Sequence, residues 1–335
     1  MDVSALLHFG MNAEAYKQKT SCYYNVGGIH KVMRQIALAF AENDSVVLVF
    51  DSKTNFRKAL MPEYKAGRVT NKSVISQAEL LFEKLPQIGF TCYKMDGYEG
   101  DDIINWCCQE AEQTYQKIFI HGNDQDLIHN VHGGVIFHSI SENVPSVTES
   151  NFPYAIDKGS FVPFNFISVK KVLTGCKSDK IPAFIMENGT KGSEVFEWYL
   201  KALALKNIPG VYEYTTNRDI FLKFMQYLPG VTDKDLRELE RRVKLIFPAP
   251  KPDDFIFSCT ARRQIDEPQL SGFLSLVNDF KTIRSLKLYK RDLTEEEKAF
   301  LRERQRQLET GEFAVDKNIP VHEQYDDSLL CLKEF

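Results

Sequence analysis

The stretch "YEGDDIINWCCQ", residues 98–109, places Glu99, Asp101 and Asp102 within four positions and runs directly into an apolar pattern of helical spacing. Carboxylates that close repel one another, so their gathering implies something that compensates the charge. Upstream, "GGIHKVMRQIALAFAE" (27–42) carries Ile29, Val32, Met33, Ile36 and Phe40 at helical spacing after a double glycine. "SVVLVF" (45–50) is a short β-branched run of the kind that forms a buried parallel strand, and it ends in Asp51. A second helical pattern covers about 73–85, followed by a short strand near "FTCYKM" (90–95). Downstream, "KIFIHG" (117–122) reads as another buried strand and leads into Asp124 and Asp126. This alternation predicts an α/β fold with a parallel sheet flanked by helices. Ligands bind such sheets at the carboxyl ends of the strands, so all three acidic segments should meet at one edge.

Six carboxylates at one edge call for hard divalent cations. Oxygen donors without a His or Cys cluster favour Mg²⁺ or Mn²⁺ over zinc. Two such ions about 3.5–4 Å apart can activate water and stabilise the leaving oxygen of a phosphodiester. The plainer alternative is helix capping, for which Asp101 and Asp102 are well placed. The segment between Asp51 and the acidic stretch suggests the substrate. "KTNFRKALMPEYKAGRVTNK" (53–72) holds six Lys or Arg and only one acid, Glu63, with Phe56 and Tyr64 interleaved. Phosphate needs that charge, and unstacked bases can lie on aromatic faces. A solvated loop would also be charged, but usually with mixed signs.

The whole chain of 335 residues has 43% hydrophobic and 26% charged residues, as an ordinary globular protein does. Its net charge of −4 gives no general attraction to nucleic acid, so any such binding must be local. No apolar run approaches the ~18 residues of a membrane span, and the N-terminus lacks a secretory layout. Seven cysteines without metal-ligand spacing predict reduced thiols in a cytoplasm. Cys107 and Cys108 fall inside a helix pattern, where core packing is expected.

Four motifs in order resemble the 5′→3′ exonuclease and flap-endonuclease family: "FDSKTNFRKALMPEYKAGR", "YEGDD", "GNDQDL" and "LTGCKSDKIP". Within that family the likeness is closest to the RNase H type of T-even phages, whose opening Asp-x-Ser segment "DVSALLHFG" resembles. The likeness covers about residues 1–185. It implies a PIN-like parallel sheet with a helical arch and a helix-rich C-terminal part. It also implies one metal group of Asp2, Asp51, Glu99 and Asp101 and a second of Asp102, Asp124, Asp126 and Asp179. Tyr64, Lys65 and Arg68 match the family's "YKxxR" element, in which the lysine contacts the scissile phosphate and the tyrosine stacks on a base. Arg57 matches another basic position at the base of the arch, and Lys58 beside it is a candidate nucleic-acid contact.

Three departures stand out. Cys176 occupies a position where the family has aspartate, and a neutral thiol is a poor Mg²⁺ ligand, so the second ion should bind weakly. The glycine-rich hairpin that grips duplex backbone is reduced to Gly189, Lys191 and Gly192, with Lys191 a candidate backbone contact. Asp2 should end a central strand, yet only Met1 precedes it, which leaves a start further upstream, a strand supplied otherwise, or an Asp2 that is not a ligand.

The expected organisation is a nuclease core over 1–165 with an arch over about 53–85. A degenerate helix-three-turn-helix region at 166–247, a linker "PAPKPDD" (248–254), a C-terminal helical region at 254–313 and a tail at 314–335 follow. Lys281, Arg284, Lys287, Lys290 and Arg291 could face duplex DNA or solvent. In the tail, Leu329, Leu330, Leu332 and Phe335 follow Asp326 and Asp327, a pattern suited to docking on a sliding clamp or to folding back onto the core. The reading is a Mg²⁺-dependent nuclease cutting at 5′ ends, flaps or the RNA of RNA–DNA hybrids in phage replication. The alternative is a nuclease-like fold with weakened catalysis that serves as a nucleic-acid-binding or assembly subunit. An RNA-cutting relative of the same fold is a third reading, against which the arch-like segment argues.

Overall fold

A computed structural model describes residues 1–12, 26–42, 45–68, 71–140, 146–148, 150–151, 155–157, 160–162, 166–204 and 217–278, with Glu295, Ala299, Arg302, Glu303 and Arg306 beyond them. The basic positions at 281–291 and the apolar tail at 329–335 lie outside the described residues.

Helices α1 (Val3–Asn12) and α2 (Gly27–Glu42) cross closely. A Cβ on Gly10 would sit 2.4 Å from the carbonyl oxygen of Gly27, and one on Gly28 would lie 2.9 Å from Leu7. The double glycine therefore serves close helix packing. Leu6, Leu7, Ile29 and Val32 from these helices are fully buried with Leu81 and Leu85 of α4 (Lys72–Ile88). Between α2 and α4 come the short strands β1 (Ser45–Val46) and β2 (Leu48–Val49) and a four-residue helix, α3 (Arg57–Leu60).

The central sheet is parallel, as expected, but its strands are short. β2 pairs in parallel with β3 (Cys92–Tyr93), and β4 (Ile118–Gly122) with β5 (Val135–Ser139). Met1 and Asp2 join the two halves. The Met1 amine donates to the Val47 carbonyl at 2.8 Å, and the Val49 amide donates to the Met1 carbonyl at 3.0 Å. The Asp2 amide donates to the His121 carbonyl at 2.9 Å. The central slot beside Asp2 is thus filled by two residues, and Asp2 still emerges at the carboxyl edge. Between β3 and β4, helix α5 (Gly100–Ala111) buries Ile103, Ile104, Trp106 and Cys108 against β4 and β5.

The second half forms its own core. Helices α6 (Ile167–Thr174), α7 (Gly192–Ala204), α8 (Asn217–Gln226) and α9 (Asp233–Ile246) pack Val169, Leu173, Val195, Tyr199, Phe221, Leu239 and Val243 together. The α6–α7 connection has turns closed by the bridges Cys176–Ile181 and Ile185–Lys191. A small antiparallel pair, β6 (Ala155–Asp157) and β7 (Ser160–Val162), precedes α6.

The expected linker at 248–254 is instead packed. The indole N–H of Trp106 donates to the Ala249 carbonyl at 2.8 Å, and Phe255 stacks edge-on against Trp106 at 5.4 Å. The proline-rich composition looked like a hinge, but its backbone caps buried polar groups of the N-terminal half. The chain then adds β8 (Thr260–Ala261) antiparallel to β1, and α10 (Glu267–Asn278) sets Phe273 and Val277 into the first core. Among the described residues no helix is long and apolar enough to cross a membrane.

Candidate active site

The acids arrive at one edge because the turns after the strands put them there. Asp2 follows the central slot, Asp51 follows β2, Asp124 follows β4, and Glu99 to Asp102 open α5. The Gly100 amide at the α5 N-terminus donates to Asp51 at 2.7 Å. A Cβ on Gly100 would meet that carboxylate at 3.1 Å, so glycine lets the helix end close on Asp51. Asp124 caps the 3₁₀ turn Gln125–Asn130 by accepting from the Asp126 amide at 2.9 Å. Asp2, Asp51, Glu99, Asp101 and Asp124 line one open cavity, rimmed by Lys53, Lys58, Lys65 and Arg68. A connected recess behind it is lined by Asp126, His129, Lys171 and Asp179.

The electrostatics of the first group show its strain. Burial, then the neighbouring Asp51, pushes the Asp2 carboxyl up to about 7. Burial, followed by Asp2, Asp124 and Asp51, holds Asp101 well above the usual carboxylate range. These acids disfavour one another's charge, which a cation relieves. The donor set is all oxygen, which fits Mg²⁺ or Mn²⁺. Among the described residues no three His, Cys, Asp or Glu side chains are grouped as an ion would hold them.

Two residues expected at the site have other work. Asp102, expected as a ligand of the second metal, is fully buried. Its two oxygens each accept from Arg57 at 2.7 Å, one also from the Ala249 amide at 2.8 Å and the other from the Glu99 amide at 3.1 Å. Arg57, expected on nucleic acid, is buried in turn and also donates to the carbonyls of Leu245 and Phe247. This pair ties α3, α5 and the end of α9 together.

The arch segment is also redistributed. Helix α4 belongs to the first core, and residues 62–67 are turns, with Lys65 and Arg68 lining the acid cavity. Tyr64, expected to stack on a base, is 3% exposed against Met61, Cys176, Ile181 and Leu245, and its hydroxyl donates to Glu99 at 3.0 Å. Lys65 takes a left-handed backbone (φ 53°), fixed by its amide donating to the Asp179 carbonyl at 3.0 Å. Its ammonium lies 2.5 Å from Glu99. Arg68 pairs with Asp179 at 2.7 Å and is half exposed. Lys58 is exposed at the cavity rim, and Lys191 is exposed on the α6–α7 connection, outside the cavity lining.

Two polar groups were not anticipated. Lys171 of α6 bonds to Asp126. The His129 ring Nδ1 donates to the Asp126 carbonyl, which leaves Nε2 as a buried acceptor without a partner. The only sequence signal for either was proximity to a motif, Lys171 five positions before Cys176 and His129 three after Asp126.

Comparison with known proteins shows what the N-terminal half is similar to. Residues 2–153 match the family model of the 5′-3′ exonuclease N-terminal resolvase-like domain. A 5′-3′ exonuclease of Buchnera aphidicola subsp. Schizaphis graminum is 30% identical over 158 residues, covering 46% of this chain and 53% of that protein. A DNA polymerase I of Borreliella burgdorferi is 26% identical over 267 residues, covering 76% of this chain and 26% of that protein. The chain thus spans about half of the first relative and a quarter of the second. The T5 D15 protein co-crystallised with metal ions superposes with a TM-score of 0.48 at 14% identity, covering 73% of this chain and 87% of that one, a likeness that carries no functional argument. The family match and the ordered motifs together make the N-terminal part of the chain, residues 2–153, similar to the 5′-3′ exonuclease N-terminal domain.

Proposed function

We propose that the protein is a divalent-metal-dependent 5′→3′ exonuclease or flap endonuclease that hydrolyses phosphodiesters at 5′ ends, flaps or RNA primers. The observation that carries this reading is the convergence of Asp2, Asp51, Asp101 and Asp124 on one cavity rimmed by Lys53, Lys58, Lys65 and Arg68. A site built only to bind phosphate would gain by losing those acids.

Asp2, Asp51, Asp101 and Asp124 would hold the ion, which when bound supplies Lewis-acid polarisation of the phosphate. Lys65 and Arg68 exchange their carboxylate partners for phosphate oxygens and stabilise the charge that develops there. Glu99 orients the Lys65 ammonium, and buried Tyr64 holds Glu99. Lys58 and Lys191 contact the flanking backbone. The reaction leaves a 5′-phosphate on DNA or on the RNA of an RNA–DNA hybrid, in phage DNA replication. The apolar tail at 329–335 serves as a docking peptide for a sliding clamp or another replication protein, and deletion of 326–335 should remove that binding while naked oligonucleotides are still cut.

Labelled 5′-flap, single-stranded and RNA–DNA substrates with Mg²⁺, Mn²⁺ or chelator test the reading. Cleavage that needs the ion and starts at the 5′ end supports it. Binding without cleavage under every condition would favour the assembly-subunit alternative.

A further inference from the structure

Asp102, Asp126 and Asp179, three of the four acids expected in the second group, are already matched with the chain's own cations, as Glu99 of the first group is with Lys65, whereas Asp124, the fourth, lines the open cavity with Asp2, Asp51 and Asp101. Arg57 occupies both oxygens of Asp102. Lys171 bonds to Asp126. Arg68 holds one oxygen of Asp179 at 2.7 Å, while the Cys176 thiol donates to the other at 3.0 Å. The buried Cys176 side chain thus faces Asp179 as a hydrogen-bond donor and not as a second carboxylate. Among the described residues no Lys or Arg forms an ion pair with Asp2, Asp51, Asp101 or Asp124.

Lys171 is fixed where a cation is wanted. It projects from α6, which packs on the 3₁₀ turn that begins at Asp124, and its side chain is 27% exposed. A neutral thiol in place of a carboxylate removes one negative charge from the recess. The lysine adds one positive charge.

We infer that Lys171 is a resident counter-ion that takes the place of a second divalent ion, so that this chain binds one metal, at the Asp2–Asp51–Asp101–Asp124 group. The inference rests on the nuclease reading above and revises its metal count. A second ion would have to displace an ammonium already bonded to Asp126 and enter a group with one carboxylate fewer. Cys176 acts in the same direction, by keeping its proton on the Asp179 side.

Metal-free protein titrated with Mn²⁺, followed by calorimetry and electron paramagnetic resonance, gives a direct count. Wild type should bind one Mn²⁺ per chain, with the spectrum of an isolated ion. The Lys171→Met/Cys176→Asp double variant should bind two and show spin coupling between them. Two ions of comparable affinity in wild type would overturn the inference and leave the nuclease reading intact. A double variant that melts like wild type yet still binds one ion would also overturn it. No Mn²⁺ bound to wild type at all would overturn the nuclease reading, and this inference with it. The wild-type count decides the question even if the double variant does not fold.

Discussion

Replacing Arg57 with alanine removes the cation that, alone among the described residues, pairs with the Asp102 carboxylate, which has no solvent exposure. The guanidinium makes two 2.7 Å bonds to Asp102 and further bonds of 3.0 Å to the Leu245 carbonyl and 3.1 Å to the Phe247 carbonyl. Without it Asp102 keeps only two amide donors, from Glu99 and Ala249, in a site closed to water. Deleting one partner of a buried ion pair costs about 3–5 kcal/mol, because the other charge is left uncompensated. Two orphaned carbonyls add to that, although local relaxation offsets part of it, so the expected loss is about 4 kcal/mol. Against a total stability of roughly 5–15 kcal/mol this is a large fraction. Urea unfolding followed by circular dichroism should show a markedly lower midpoint. The Asp102→Leu/Arg57→Met double variant should recover part of the loss, since no isolated charge remains buried. An Arg57 that contacted nucleic acid would behave in the opposite way. Its alanine variant would keep the wild-type midpoint and bind DNA with a shallower salt dependence. That pair of results would refute the structural role assigned here.

Lys65→Ala and Arg68→Ala should each slow single-turnover cleavage of a 5′-flap substrate by 10-fold or more, on the order of effects from removing a charge beside the reacting group. Wild-type rates in both would reduce the basic segment to a solvated loop. Tyr64→Phe removes only the bond to Glu99, so it should reduce cleavage of nicked duplex and of single strands alike, whereas a base-stacking tyrosine would tolerate the loss of its hydroxyl. His121 tests the fold by pH. Burial pushes its imidazole down to about 3, and its Nδ1 accepts from Gln35 at 3.1 Å. Its unfolded state takes up a proton that the folded state refuses, so its contribution to stability is full above about pH 6.5 and falls as pH drops toward 3. The slope is about 1.4 kcal/mol per pH unit well below 6.5. Asp2, with its raised pKa, runs the other way between about 4 and 7. The comparison is therefore wild type against His121→Gln, and a difference that stays flat from pH 6.5 to 4.5 would show that His121 is not held neutral.

The parts of this molecule that could be read from the chain were those governed by local pattern. The apolar run before Asp51 and the one before Asp124 became strands, and the acidic stretch opened a helix whose buried face is the apolar set Ile103, Ile104, Trp106 and Cys108. Strand ends fix where side chains emerge, so Asp51, Asp101 and Asp124 meet in one cavity, while Asp2 was suggested by the family resemblance alone. What pattern could not reveal was which acid is already matched with a cation. Asp101 and Asp102 are adjacent in sequence and share composition, but a helix turns them about 100° apart. One faces the cavity and the other faces Arg57, which reaches it only because the end of α9 closes above. Tyr64 and the proline-rich segment at 248–254 were misread for the same reason. Their surroundings come from residues more than a hundred positions away, such as Cys176 and Leu245 around Tyr64 and Trp106 beside Ala249.

The central claim is that the acid cluster performs metal-dependent cleavage, and one measurement tests it most directly. Asp101→Asn and Asp124→Asn are each compared with wild type on a labelled 5′-flap substrate, with cleavage and binding followed under the same Mg²⁺ conditions. The account predicts that both variants lose cleavage while their affinity for the flap is kept or tightened, because a carboxylate that held metal also repelled phosphate. Cleavage at the wild-type rate by both variants would contradict it.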